Sequence, residues 1–274
     1  MRFWGALVAT LVATVVVGVG AASAARSGTD PDLEPGFPVK TFERAGSYHG
    51  GPAVLTLVGN IDADPTLEIL VTALASGPLH AWNADGSPQP GWPGQSLGAA
   101  MPALGQLSVS SPGLEVFSAH FGGALVAYDG AGAVLPGWPR EASNYIASPP
   151  SLADVDGDGL DEIFVEEEDW ALHAYRANGT VLQGWPVGGD GGQERHTPAI
   201  GDLDGDGAPE IVTVSGWTSP GIYIHAYHRN GSEVAGFPVL MNGEVDTFPG
   251  IGDVDDDGAP EIVLVASEGL TSYV

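Results

Sequence analysis

Cysteine is missing from all 274 residues. Neither a disulfide nor a thiolate metal centre can therefore hold this chain together. Positive charge is scarce as well. Eight Lys and Arg, only one of them Lys, stand against 35 Asp and Glu, a formal net charge of −27. So acidic a chain repels nucleic acid and anionic lipid, which removes both from its expected partners. Charge of one sign can signal disorder. Here acidic stretches alternate with β-branched and aromatic ones, so a folded body is expected. No phosphate loop or zinc-spaced His pair occurs, so neither of those catalytic signatures is present.

What is present begins with an export signal. Arg2 is a short basic start, Phe3 to Ala22 is apolar, and Ala22-Ser23-Ala24 fits a cleavage site. Residues 1–24 thus read as a signal peptide. The apolar run is close to the ~20 residues that span a bilayer, so an uncleaved anchor is the alternative. Only that alternative brings membrane contact. Either way the body is secreted or otherwise extracytoplasmic, where free calcium is plentiful and weak oxygen-rich sites suffice.

Three markers recur in constant order. Acidic loops start at Asn60, Gln106, Asp154, Asp202 and Asp253, at intervals of 46, 48, 48 and 51 residues. Gly-aromatic-Pro occurs at Gly36, Gly91, Gly137, Gly184 and Gly236. Apolar segments end in Trp82, Tyr128, Tyr175 and Tyr227, read as packing between units. Each unit reads as four short strands: Pro198 to Gly201, Glu210 to Val214, Gly221 to Tyr227 and Val234 to Val239 in the fourth. Asn230-Gly231 predicts a type I′ turn before the last strand. The Pro of that strand places it at the outer edge. Four strands per ~48 residues predict an all-β β-propeller. The expected units are 52–99, 100–147, 148–195, 196–246 and an incomplete 247–274, after a segment 25–51 with a lone strand at 36–39. Two arrangements remain open. The lone strand completes the fifth unit of a closed five-membered ring, or the five units belong to a larger ring.

The loops predict calcium. That ion takes six to eight oxygens, many from carboxylates. In the third unit Asp154, Asp156, Asp158, the Leu160 carbonyl and Glu162 supply them. Asp202, Asp204, Asp206, the Ala208 carbonyl and Glu210 do so in the fourth. Asp253, Asp255, Asp257, the Ala259 carbonyl and Glu261 do so in the fifth. Gly207 and its counterparts permit the reversal. Without a cation, clustered carboxylates repel by roughly 1 kcal/mol per pair at 4 Å even in water. The first loop keeps Asn60, Asp62, Asp64 and Glu68 but has Pro65 for the Gly, which makes it a weaker fourth site. The second loop, with Ser108 and Ser110, is expected to be empty. An EF-hand closes at position twelve between helices; here the acid stands at nine, between strands.

These loops, with Gly-Phe-Pro in support, resemble FG-GAP repeats, the units of the integrin α-subunit head and of many secreted bacterial proteins. The resemblance spans about residues 36 to 274. It implies a propeller, usually seven-bladed, with calcium in the strand 1–2 loops and roles in adhesion, ligand binding or carbohydrate association. One departure is Glu at position nine where Asp is more usual; the longer side chain still reaches, even bidentately.

Two functional classes follow. The first is a secreted, calcium-stabilised binding or adhesion module without catalysis, for a protein or carbohydrate ligand. The second is a polysaccharide lyase or hydrolase, for which two carboxylates facing a sugar are needed. Its candidates are Glu167 in the acid run Glu166 to Asp169, with Trp170 as a stacking platform; the same residues with Arg195 and His196 are candidates for a ligand rim. His80, His173 and His225 share one repeated position, which marks them as structural first.

Overall fold

A computed structural model describes residues 55–273, apart from 73–77, 95–99, 143–145, 147, 168, 189–195, 216–221, 242–243, 246 and 269–270. The expected signal peptide, the lone strand at 36–39 and Arg195 lie outside the described residues. All described regular structure is β, with no helix among the described residues.

The units emerge as antiparallel sheets in chain order. Unit one has β1 (Thr56–Gly59), β2 (Glu68–Thr72) and β3 (Leu79–Trp82). Unit two has β4 (Ala100–Gly105), β5 (Glu115–His120), β6 (Ala124–Tyr128) and β7 (Arg140–Glu141). Unit three has β8 (Ser151–Ala153), β9 (Glu162–Glu166), β10 (Ala171–Tyr175) and β11 (Val187–Gly188). Unit four has β12 (Ala199–Gly201), β13 (Glu210–Ser215), β14 (Ile222–Tyr227) and β15 (Val239–Met241). In the fifth, β17 (Gly250–Gly252) pairs with β18 (Glu261–Val263), and β16 (Glu244–Val245) with β19 (Ala266–Glu268), which also pairs with β20 (Thr271–Tyr273). Register is repeated too: Gly59, Gly105, Ala153, Gly201 and Gly252 each face the Glu that closes their own loop. That pairing fixes every loop at one end of its sheet.

The cores lie between units. One cluster joins Phe117 and Trp138 of unit two to Ile163, Val165 and Tyr175 of unit three. Another joins Phe164 and Trp185 of unit three to Ile211 and Tyr227 of unit four. A sheet that alternates its side chains has two apolar faces, so each unit needs a neighbour on both sides. The expectation that Tyr128, Tyr175 and Tyr227 pack between units holds. Each meets the Trp of the preceding Gly-Trp-Pro edge-on, with ring centroids 5.7, 6.3 and 6.1 Å apart.

Two expectations are corrected. The fourth strand was expected over Val234 to Val239; the paired edge segment begins only at Val239. Gly-aromatic-Pro is a turn, with Gly236 at φ +102° and a cis Phe237-Pro238 bond, as at Trp92, Trp138 and Trp185. The marker instead serves the junction. The indoles of Trp92, Trp138 and Trp185 donate to the carbonyls of Gly130, Ala177 and Arg229 in the next unit. The Gly lets two backbones meet: a Cβ on Gly137 would lie 2.1 Å from the Asn178 carbonyl oxygen. The Asn-Gly turns are not type I′ either. Gly179 and Gly231 have positive φ, but Asn178 and Asn230 do not. The Asn side chains accept hydrogen bonds from the backbone of Thr180 and Ser232 instead.

Candidate metal centre and the opposite rim

Three local rules build each loop. The first Asp turns inward and accepts backbone N–H groups: Gly157 and Gly159 donate to Asp154, Gly205 and Gly207 to Asp202, Gly258 and Asp257 to Asp253. The fifth-position Asp accepts from the residue two further on, Leu160, Ala208 or Ala259. Gly159, Gly207 and Gly258 make the reversal at φ near +90°. The fifth loop carries Asp256 at φ +62° where its counterparts have Gly157 and Gly205 at +77°. Replacing Asp256 by Gly is expected to stabilise the protein by about 0.5–1 kcal/mol, read from urea unfolding.

The closing Glu, at position nine and in the second loop at position ten, does more than the sequence suggested. Its Oε2 accepts from the backbone N–H of position two in all five loops: Ile61, Leu107, Val155, Leu203 and Val254. Glu68, Glu115, Glu162 and Glu210 are buried. One oxygen is thus spent on the loop backbone, which leaves Oε1 to face the cluster. In Glu68 and Glu115 that atom is buried with no hydrogen-bond partner.

Some of these acids converge. Asp154, Asp156 and Glu162 can place one oxygen each within 4.8 Å of one another, as can Asp202, Asp204 and Asp206, and Asp62, Asp64 and Glu68. A further group joins Asp204 and Glu210 to His228. Asp156 Oδ1 is buried and unpartnered. Orphaned buried carboxylate oxygens beside other carboxylates are what a hard cation relieves. The donor set is all oxygen in the third loop, which fits calcium. Asp253, Asp255 and Asp257 repeat the backbone contacts of the other loops in a more exposed setting. In the second loop the hydroxyls of Ser108 and Ser110 meet at 2.7 Å in place of two acids.

Burial, above all, pushes the Glu162 carboxyl up to about 7 from its ordinary 4.5. The Asp156 and Asp158 charges add to this; the Val155 N–H and Arg176 oppose it. A raised folded-state value means that the folded protein keeps a proton the unfolded chain releases. The resulting stability is complete below pH 4.5 and is lost as pH rises to 7. Metal-free protein is expected to lose on the order of 3 kcal/mol across that window from this group. Calcium needs the carboxylate, so calcium-induced stabilisation grows over the same window. Melting curves in chelator at pH 5 and 7.5 check this. Glu162→Gln is expected to flatten the difference.

At the other end of the third sheet the acid run has one buried member and one exposed one, Glu167 and Asp169. Glu167 is buried and accepts from the Tyr175 hydroxyl at 2.6 Å. His173 Nδ1 lies 3.5 Å from Glu167, and its Nε2 lies 2.9 Å from Asp169. Burial and the Glu167 bond push the Tyr175 phenol up, which keeps it protonated. Trp170 is half-buried at φ +62°. His196 reaches the same rim through its backbone N–H, which donates to Glu166.

Sequence reading missed several groups. Ser215 Oγ lies 2.9 Å from His225 Nε2, and His225 Nδ1 lies 2.8 Å from Glu233. Glu233 is acceptor-only when ionised, which assigns the proton to Nδ1 and makes Ser215 the donor. Asp161 crosses a junction: its N–H donates to the Gln106 carbonyl and its Oδ2 accepts from the Gln106 N–H. Arg176 and His228, which follow the unit aromatics, reach Asp156 and Glu210. The variation at that one repeat position, from Asn83 and Asp129 to Arg176 and His228, was the available signal.

The sheets and loops define an all-β repeat protein with acidic strand 1–2 loops. Residues 154–213 match the FG-GAP-like repeat model. No curated protein matches the chain. Among solved structures it is similar to the V. cholerae biofilm matrix protein Bap1, at 16% identity and TM-score 0.41, over 72% of this chain and 41% of that one. It is also similar to BBS1N in complexes with ARL6DN soaked with mercury or with lead. Those matches have 13% identity and TM-score 0.47, covering 76% and 77% of this chain and 68% and 63% of the others. The chain thus spans less than half of the Bap1 chain.

Proposed function

We propose that this is a secreted, calcium-binding β-propeller that serves as a non-catalytic binding or adhesion module for a protein or carbohydrate ligand. The observation that carries the reading is the recurrence of one acidic strand 1–2 loop at the same end of successive sheets, with a buried, unpartnered Asp156 oxygen in the third. Calcium ties strand 1 to strand 2 in each unit and screens the acids. Asp154, Asp156, Asp158 and Glu162, and their counterparts in units four and five, hold it; the first loop is a fourth, weaker site. The FG-GAP-like match over residues 154–213 supports the same reading. The opposite end, with Trp170 and His196, is free of these loops and is where a ligand docks.

The test uses calcium-loaded protein on a glycan array and in a pull-down with extracellular proteins. Binding that survives Glu167→Gln and is lost in chelator supports the module. The buried Glu167, with His173 beside it, keeps a second reading in view, a polysaccharide lyase or hydrolase. New reducing ends or unsaturated products from mixed polysaccharides, abolished by Glu167→Gln, would replace the first reading with that one.

A further inference from the structure

Arg176 pairs with acids of the third loop. Its Nη1 donates to Asp156 Oδ2 at 2.6 Å and lies 3.8 Å from Glu162 Oε1. Both carboxylates belong to the calcium set of the third loop. The guanidinium stem is 38% exposed, so it can swing into solvent, whereas Asp156 is 11% exposed and stays. Its counterpart in unit four, His228, meets Glu210 at 3.2 Å and not the third-position Asp204 at hydrogen-bond distance. The counterpart in unit five is Val274, which has no charge. Among the described residues, the third loop alone of the full loops therefore carries a permanent positive charge on its own acids, since Arg stays protonated at all working pH values.

We infer that Arg176 is a tethered competitor of calcium at the third loop. It holds Asp156 and Glu162 together when metal is absent, and it must release or share Asp156 when metal arrives. The inference rests on the calcium reading above. Its logic is linkage: a contact that favours the metal-free state weakens metal binding by as much as it stabilises that state. The third loop is thus preordered but of lower affinity, while the fourth and fifth depend on metal for their order. One fold then carries two classes of calcium site.

The signs separate this role from a merely structural ion pair. Losing a structural pair would lower stability with and without calcium and leave affinity unchanged or weaker. Losing a competitor lowers stability only without calcium and strengthens affinity. The experiment is a calcium titration of chelator-treated full-length protein, followed by ¹⁵N NMR at two equivalent amides. Gly159 donates to Asp154 Oδ2, and Gly207 to Asp202 Oδ2. In the native protein the Gly159 midpoint is expected at higher calcium than the Gly207 midpoint. In Arg176→Gln it should fall by roughly three- to tenfold, with Gly207 unmoved and the melting temperature lowered in chelator alone. Arg176→Lys, which keeps the charge, should restore most of the native midpoint. A Gly159 midpoint unchanged or raised in Arg176→Gln, while Gly207 titrates normally, overturns the competitor role and leaves the calcium reading standing. If neither amide titrates, the calcium reading fails and the competitor role falls with it.

Discussion

Moving the protein from millimolar calcium into excess chelator is expected to lower its melting temperature by roughly 10 °C. An ion that binds only the folded state stabilises it by RT ln(1 + [L]/Kd). At affinities of about 10⁻⁴–10⁻³ M, usual for extracellular modules, each site contributes on the order of 1–2 kcal/mol. Three full loops together contribute about 3–6 kcal/mol, and 1 kcal/mol moves the midpoint of a domain this size by ~2–4 °C. The carboxylates make the effect asymmetric. Without metal, Asp156 Oδ1 is buried with no partner, and Asp202, Asp204 and Asp206 crowd within 4.8 Å. Magnesium at equal concentration should restore little, because it demands a tighter octahedral shell and gives up water reluctantly. Asp202→Asn should remove about one site's share, since a single oxygen must replace the two that accept from Gly205 and Gly207. Ser110→Ala in the second loop should leave the calcium shift intact. Calorimetric melts that coincide in calcium and chelator would remove metal from the account.

Local chemistry was legible and distant partners were not. The acidic loops, the strands that flank them and the packing role of Tyr128, Tyr175 and Tyr227 follow from spacing and residue type. Gly-Trp-Pro recurs just as plainly, yet its job did not show, because the Trp138 indole meets a backbone carbonyl 39 residues away. A carbonyl has no letter in the sequence. The position-nine Glu was read as a ligand only. Glu115, retained in a loop that has Ser108 and Ser110, was the clue to its second task, since a pure ligand has no reason to stand in a loop without acids. Pro209 and Pro260 were equally readable. They remove the N–H that Leu114 and Asp161 donate across the first two junctions, to the carbonyls of Asn60 and Gln106. The Ser215, His225 and Glu233 contacts depend on register: Thr213 pairs with His225, and Ser215 reaches diagonally. Spacing alone does not supply that.

Trp138→Ala is expected to cost about 4–6 kcal/mol and to split unfolding into two transitions. The ring is 93% buried at the junction of units two and three. It stands edge-on to Phe117 at 5.2 Å and to Tyr175 at 6.3 Å, and its Nε1 donates to the Ala177 carbonyl at 2.9 Å. Truncating a buried Trp costs ~3–5 kcal/mol, including the cavity it leaves. Stranding the buried carbonyl adds about 1 kcal/mol or more. Trp138→Phe separates the two terms. It keeps most of the apolar contact and loses only the donor, so it should cost about 1–3 kcal/mol. The fourth unit already carries Phe237 at this position. The split transition has a separate origin. Units share cores only with their neighbours, so cooperativity passes through each junction in turn. Weakening one junction uncouples units one and two from units three to five. Urea unfolding followed by near-ultraviolet circular dichroism and by backbone signal tests this directly. Coincident single transitions in Trp138→Ala, at a loss under 1 kcal/mol, would show that the indole does not hold the junction.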